Sequence, residues 1–406
     1  MSNQTFVIVG ASLAGAKAAI ELRENGFDGR VLLIGRESEL PYERPPLSKD
    51  YLRGQSERAG LFVEAESFYD EKEIELLLGH AATAIDPRAK QVQLERHGAD
   101  INFDALLIAT GASARRLQLP GAELEGIHYL RTIADSDVIR ERLDAGGHVA
   151  VIGSGWIGCE IAASARQRGL DVTLISDQEL PLQVLGPEIG EFYRGVHATQ
   201  GVELVLGDGL AAFEGDGSAV RRVRTESGRV VECDFVVVGA GAIPNVELAQ
   251  TAGLETDNGI VVDECLRTSA ANIFAAGDVA NHLHPFYERH VRVEHWSNAL
   301  HQGPAAAHAM LGSELAYKDL PYFFSDQYDV GMEYSGLSAP SDRVVFRGDR
   351  DGGEFIAFWL RDGMVTAGMN VNVWDVNEHV QELIRSRTPV EVAKLIDSDT
   401  PLESLA

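Results

Sequence analysis

Two glycine-spaced clusters hold the residues of this chain best suited to chemistry. Gly10-Ala11-Ser12-Leu13-Ala14-Gly15 follows the apolar run Phe6–Val9, and Gly153-Ser154-Gly155-Trp156-Ile157-Gly158 follows Val149–Ile152. In each, the first glycine permits a tight turn, the second position lets backbone approach a pyrophosphate, and the third lets a helix pack closely on its strand. The helix start then faces a diphosphate with its unpaired N–H groups. Ser12 takes the second glycine position of the first cluster, which is therefore imperfect, whereas the second cluster is complete. Glu37 comes 22 residues after Gly15, at the end of the next strand, where a carboxylate takes both ribose hydroxyls of an adenosine. The same place in the second repeat holds Ser176 and Asp177, with Leu180 and Val184 nearby and no cation for a 2′-phosphate. NADH is therefore favoured over NADPH. Two nucleotides in one chain imply a hydride carrier beside a redox acceptor, hence an electron-transfer enzyme.

Other chemistries find less support. His282, His284, His290, His295 and His301 fall close together, but no His-x-x-x-His pair with a partnering acid emerges, and no metal site is expected. No Gly-x-Ser-x-Gly elbow argues for a hydrolase. Cys159, Cys233 and Cys265 are far apart and form no Cys-x-x-Cys pair, which excludes a dithiol redox centre and points to a reducing compartment.

The elements that must hold the two clusters follow the same grammar twice. Phe6–Gly10 reads as a buried strand, Ala14–Asn25 as an alanine-rich helix and Val31–Gly35 as a second strand, and the pattern returns over Val149–Ile175. Ala105–Gly111 and Ile273–Val279 read as further strands; the second lies beyond the repeat, so the first domain is discontinuous. The fold expected is α/β, with two Rossmann-like dinucleotide-binding domains, one nested in the other, and a C-terminal α+β domain. The division reads 1–113 with 240–319, then 114–239, then 320–406. In the last part Arg343–Gly348, Glu354–Arg361 and Met364–Val371 read as antiparallel strands with hairpin turns at Asp351-Gly352-Gly353 and Asp362-Gly363. Helices follow at Asn377–Ser386 and Val390–Ile396, and the last ten residues are expected to be loosely held.

At 406 residues and 45% hydrophobic content, the chain fills two or three domains. A net charge of −27 argues against nucleic acid and anionic membranes as partners. No run of 18 apolar residues and no leader pattern occurs, so a cytoplasmic protein, monomer or homodimer, is expected.

Longer motifs then give a resemblance over nearly the whole chain. Leu40-Pro-Tyr-Glu-Arg-Pro-Pro-Leu-Ser-Lys49, Leu107-Ile-Ala-Thr-Gly111, Leu130-Arg-Thr132, Gly239-Ala-Gly-Ala-Ile-Pro-Asn245, Phe274-Ala-Ala-Gly-Asp278 and Glu294-His-Trp-Ser-Asn298 stand in a familiar order. The chain resembles the FAD-dependent ferredoxin reductases of bacterial oxygenase systems, within the pyridine nucleotide-disulfide oxidoreductase superfamily. Apoptosis-inducing factor is similar at greater distance.

The resemblance implies FAD on the first domain. Besides Gly10 to Gly15 and Glu37, it implies contacts from Arg44, Pro45 and Lys49, the first and last of them near the ribityl and isoalloxazine region. It adds Ala82, Ala109, Thr110, Gly111 and Arg131, then Gly277 and Asp278 at a ribityl hydroxyl or the diphosphate, and Glu294, His295 and Trp296. NAD contacts would come from Gly153, Gly155, Trp156, Ile157, Gly158, Glu160, Ser176, Asp177, Gly239 and Gly241. Catalytic roles fall to Lys49 and Glu160, paired beside the flavin N5, and to Trp296, stacked near flavin and nicotinamide. Tyr322, Phe323, Phe324 and Tyr328 would pack at the lid, with Asp326 and Gln327 turned to the cofactors; Phe324 stands where relatives carry tryptophan.

The implied reaction takes hydride from NADH to FAD and single electrons onward to a [2Fe–2S] ferredoxin serving a cytochrome P450 or a ring-hydroxylating dioxygenase. Docking an acidic ferredoxin would need a basic patch, with Arg53, Arg289, His290 and Arg292 as candidates. Rival readings are a rubredoxin reductase or NADH oxidase, and a redox-sensing binding protein similar to apoptosis-inducing factor.

Overall fold

A computed structural model describes residues 3–95, 98 and 100–405. They form two compact units: Met1–Arg44, Arg58–Ser113 and Ile243–Pro321 make the first, and Pro45–Glu57, Ala114–Ala242 and Tyr322–Ala406 the second.

In the first unit, Phe6–Val9 are each 4% exposed or less, because a parallel strand covered on both faces must be apolar throughout. The strand Thr5–Val9 lies between Arg30–Gly35 and Ala105–Ile108, with Ile74–Leu78 and Ile273–Ala275 at the edges, all pairs parallel. The chain thus leaves this sheet and re-enters it far downstream, as nested repeats require. The helix Leu13–Glu24 is alanine-rich and stops at Asn25 and Gly26, whose φ of +77° ends helical geometry. A Cβ on Gly303 would come 2.3 Å from the Ala14 carbonyl oxygen, so the helix Trp296–Met310 lies on Leu13–Glu24 at a distance only glycine allows.

The second unit repeats the plan. His148–Ile152 sits between Asp171–Ile175 and Phe235–Val238, with Glu203–Val205 and Ile127–Tyr129 outside, again all parallel. Its C-terminal part is a five-stranded antiparallel sheet in the order Tyr322–Gln327, Val330–Gly336, Met364–Val371, Glu354–Arg361, Arg343–Asp349. The helices Asn377–Ser386 and Val392–Ile396 follow.

Three readings need correction. Tyr322–Gln327 and Val330–Gly336 are strands that the sequence disguised, because the turn between them is Tyr328-Asp329 rather than an Asn-Gly type, and Gly331 and Gly336 look like breakers. Ala105–Gly111 and Ile273–Val279 end as strands at Ile108 and Ala275, since Gly111 and Gly277 turn the backbone at φ of +66° and +79°. The chain end is held rather than loose: Arg347 donates to the Ser398 and Thr400 carbonyls at 3.2 and 2.7 Å, and Leu402 is buried.

No helix among the described residues is long and apolar enough to cross a membrane. Asp342 anchors the C-terminal sheet. It accepts from Arg361 at 2.7 and 2.9 Å, from Thr366 at 2.8 Å and from the Ala339 N–H at 2.9 Å. Desolvation pushes its carboxyl up, but the Arg361, Ala339 and Thr366 donors outweigh that and hold it below its ordinary value. A carboxyl depressed in the folded state stabilises fully above its unfolded pKa, and that contribution fades as pH falls through the folded one. Urea melts should therefore show Arg361→Leu losing about 1–3 kcal/mol at neutral pH. Stability of the parent should decline below about pH 4, and less steeply in Asp342→Asn.

Candidate functional site

The first glycine cluster closes onto its sheet. A Cβ on Gly10 would lie 2.0 Å from the Ala109 carbonyl oxygen, and one on Gly15 would lie 1.9 Å from that of Gly10. Gly277 brings its own turn against Ala14, 3.2 Å from a would-be Cβ, and its N–H donates to Gln302 Oε1 at 2.9 Å. Ser12 is the N-cap of Leu13–Glu24, yet its side chain makes no capping bond, and the first turn carries no acid. Such a helix start keeps donors and positive dipole for an outside anion. Thr110 and Gly111 are fixed by Asn245, which accepts from Thr110 Oγ1 at 2.8 Å and donates its N–H to the Gly111 carbonyl at 2.9 Å.

Glu37 accepts from the Tyr42 hydroxyl at 2.6 Å and from Arg44 at 3.3 Å, and the Arg44 guanidinium lies over the Tyr42 ring. The chain after strand Arg30–Gly35 folds back, so Arg44 reaches the strand-end acid expected at an adenosine ribose. Ala82 opens the strand Ala82–Asp86. Asp278 lies in the single turn Gly277–Val279, and the Arg292 guanidinium holds its carbonyl at 3.2 Å. Glu294 pairs with Arg292. His295 stands at the N-cap position of the helix that Trp296 begins, and burial pushes its imidazole down to about 4 against the pull of Asp278, leaving it neutral at pH 7.

The second cluster has the same anatomy with a more open middle. Cβ atoms on Gly153 and Gly158 would lie 2.5 Å from Gly239 O and 1.8 Å from Gly153 O, while one on Gly155 would meet nothing within 4 Å. The outer glycines are demanded by the fold, whereas the fold leaves room for a side chain at the central one. Gly155 is the N-cap of Trp156–Gln167, with no acid in the first turn. Gly239 packs against Gly158, and Gly241 has a φ of +92°. Ser176 is 4% exposed, and its hydroxyl accepts from Ser154 at 2.9 Å and from the Gln178 N–H at 3.1 Å. Of that pair only Asp177 is exposed.

Glu160 and Lys49 meet. Glu160 is 4% exposed on the helix Trp156–Gln167, and the Lys49 ammonium lies 3.3 Å from its Oε1. Ser48 donates to Oε2 at 2.5 Å and Ser325 to Oε1 at 2.7 Å. Sequence reading missed both serines; Ser48 stands inside the quoted Leu40–Lys49 motif, while nothing local marks Ser325. The Lys49 ammonium also lies 5.3 Å from the Phe324 ring centroid, and Trp156 stacks edgewise on Phe323 at 4.6 Å. Asp326 beside them has its carboxyl raised by burial and by Glu160, against the pull of Lys49.

Pro45, Lys49 and Arg131, expected among the FAD contacts, all belong to the second unit. The 45–57 segment is tied there by Ser136 to the Leu47 carbonyl at 2.9 Å, Tyr51 to Asp137 at 2.6 Å and Ser164 to the Ser48 carbonyl at 2.7 Å. Arg131 precedes the helix Ile133–Ala145, its N–H on Asp135 at 3.1 Å. The expected basic patch is partly neutralised, since Arg53 pairs with Asp50 and Arg292 with Glu294, whereas Arg289 and His290 are exposed. Among the described residues no group of three His, Cys, Asp or Glu side chains could hold a metal.

Removing one member of a buried ion pair strands the other. In denaturant titrations Lys49→Met should cost about 3 kcal/mol or more, and adding Glu160→Gln should recover most of it.

A family model described as pyridine nucleotide-disulphide oxidoreductase matches residues 4–303, and one described as reductase C-terminal matches residues 322–406. The ferredoxin–NAD(+) reductase component of the anthranilate 1,2-dioxygenase system of Burkholderia cepacia is 41% identical over 378 residues, covering 92% of each chain. Putidaredoxin reductase of Pseudomonas putida is 36% identical over 410 residues, covering 100% of this chain and 97% of that protein. The crystal structure of the covalent putidaredoxin reductase–putidaredoxin complex superposes with a TM-score of 0.95 at 36% identity, over 100% of this chain and 98% of that one. With two glycine cradles, a buried Lys–Glu pair and matches of this extent, the chain belongs to the pyridine nucleotide-disulphide oxidoreductase family, in its ferredoxin reductase branch.

Proposed function

We propose that the chain is an NADH-dependent FAD flavoprotein that reduces a [2Fe–2S] ferredoxin serving a cytochrome P450 or a ring-hydroxylating dioxygenase. The observation that supports it best is the pair of cradles: each has turn glycines closed by backbone carbonyls and a helix start without a capping acid. The donor set fits two diphosphates. In the first cradle the N–H groups from Leu13 onward and the Ser12 hydroxyl would take the FAD diphosphate, Glu37 the adenosine ribose, and Arg44 the phosphate oxygens beside it. Asp278 would accept from a ribityl hydroxyl. In the second, the open face of Gly155 would admit the NADH diphosphate, and Asp177 the ribose.

Between Ser176 and Tyr193 the chain holds no Lys or Arg, and Val184 is 78% exposed, which leaves a 2′-phosphate without a counter-charge. Bound FAD supplies the conversion of one two-electron hydride into two single-electron transfers. Lys49 and Glu160 would hold the nicotinamide in place, with the Lys49 ammonium retained by a carboxylate that Ser48 and Ser325 fix. Trp296 would cover the rings and exclude water.

The division into an FAD part (1–113 and 240–319), an NAD part (114–239) and a C-terminal part (320–406) remains our assignment. The segment 45–57 is then an arm of the first part that works beside Glu160. The three cysteines are free and buried, in keeping with the cytoplasm.

The purified protein should be yellow, bleach on anaerobic NADH and prefer NADH to NADPH by at least about tenfold in kcat/KM. Stopped-flow mixing should show a [2Fe–2S] ferredoxin reduced faster than rubredoxin or oxygen; a colourless protein that refuses FAD would overturn the reading. Gly155→Ala has room in the fold but obstructs the ligand, so it should keep the parent melting temperature while NADH binding weakens by about tenfold or more.

A further inference from the structure

A second layer of buried polar groups stands behind Glu160 in the same unit. Gln327 and His197 are 0% exposed and Ser325 is 1% exposed. Gln327 Nε2 lies 3.4 Å from Ser325 Oγ, His197 Nε2 lies 3.0 Å from Gln327 Oε1, and the Tyr328 hydroxyl lies 3.2 Å from His197 Nδ1. Beside the Lys49 ammonium, the Glu160 carboxylate accepts and does not donate, so the bond from Ser325 at 2.7 Å is given by the serine. The serine lone pair then takes the Gln327 amide N–H. The amide oxygen of Gln327 needs a donor, which puts the imidazole proton on Nε2 and leaves Nδ1 to accept from Tyr328. Burial pushes the His197 imidazole down to about 4, opposed by its bond to Gln327, so the ring is neutral and carries a single proton.

Four donors thus run head to tail and end on one carboxylate oxygen, each bond polarising the next. An amide in the middle of the row neither takes up nor releases a proton readily, so the row orients and does not shuttle. Its outer end carries a second sign of purpose. Tyr328 has φ of +59° in the two-residue turn between Tyr322–Gln327 and Val330–Gly336, a conformation strained for a bulky side chain and usually given to glycine or asparagine. Glycine would relieve the backbone and remove the hydroxyl that completes the row.

We propose that Ser325, Gln327 and His197 are positioning residues that fix how Glu160 presents its carboxylate, with Tyr328 as their outer anchor. The proposal rests on the reading of Glu160 as part of the hydride-transfer site.

Isotope-edited infrared spectra of the holoprotein test it directly, with the Glu160 carboxylate band identified by its loss in Glu160→Gln. His197 makes no hydrogen bond to Glu160 in the row, yet His197→Leu is expected to shift that band and to slow single-turnover flavin reduction about tenfold, with the Kd for NADH unchanged. His197→Gln offers an amide N–H where Nε2–H stood and is expected to restore both. Ser325→Ala should shift the band further, and Ser325→Thr, which keeps the hydroxyl, less. Should His197→Leu fail to fold, the two Ser325 variants make the same comparison. A band unmoved in His197→Leu and Ser325→Ala, with Glu160→Gln itself slow, overturns the relay. A parental rate in Glu160→Gln overturns instead the place of Glu160 at the hydride site.

Discussion

A carboxylate taken out of water must be met by donors, and the Glu160 charge is the point around which the second unit is arranged. The donors come from distant stretches of chain: Ser48 and Lys49 from one segment, Ser325 from a strand of the C-terminal sheet. Satisfying one side chain on the helix Trp156–Gln167 therefore draws the 45–57 segment and the C-terminal sheet to that helix. It explains why a segment that belongs by sequence to the first repeat packs with the second unit. The bonds from Ser136, Tyr51 and Ser164 then secure the segment along its length.

The glycine cradles obey a steric rule rather than an electrostatic one. In both units the outer glycines stand where a Cβ would overlap a backbone oxygen, at 2.5 Å or less. No repacking of side chains relieves such an overlap, because the obstacle is backbone. The middle position differs: Gly155 faces open space, and Ser12 leaves its helix uncapped by its side chain. The fold thus asks for glycine at the outer positions of the six-residue stretch and leaves room for a side chain at the middle one. Neighbouring polar side chains show a division too, since the Ser176 hydroxyl is spent on Ser154 and the Gln178 N–H while the Asp177 carboxylate is left outward.

The C-terminal sheet brings Phe323, Phe324, Ser325 and Gln327 to one place by strand alternation. Ser325 and Gln327 point inward together, two residues apart, and Phe324, the residue before Ser325, has the Lys49 ammonium 5.3 Å from its ring centroid. This sheet does more than cover the site, because its inward residues carry the hydrogen bonds that end at Glu160.

The sequence by itself determined the two strand–helix–strand repeats, the discontinuity of the first sheet, the hairpins of the C-terminal part and the glycine roles. All of these rest on short-range periodicity or on conformations open to glycine alone. It named Lys49 and Glu160 through a resemblance, but no local pattern announces that residues 111 positions apart form an ion pair. It missed the strands on either side of Tyr328-Asp329, since that turn uses a tyrosine where turn chemistry leads one to look for glycine. Nor does any local pattern announce that the chain folds back to set Arg44 against Glu37. The bonds that join Ser325, Gln327 and His197 were decided only by the tertiary structure, which buries Gln327 between the other two where the sequence had it turned to the cofactors: a buried polar group is defined by its partners, and those partners are set by packing between strand and helix, which spacing along the chain does not encode.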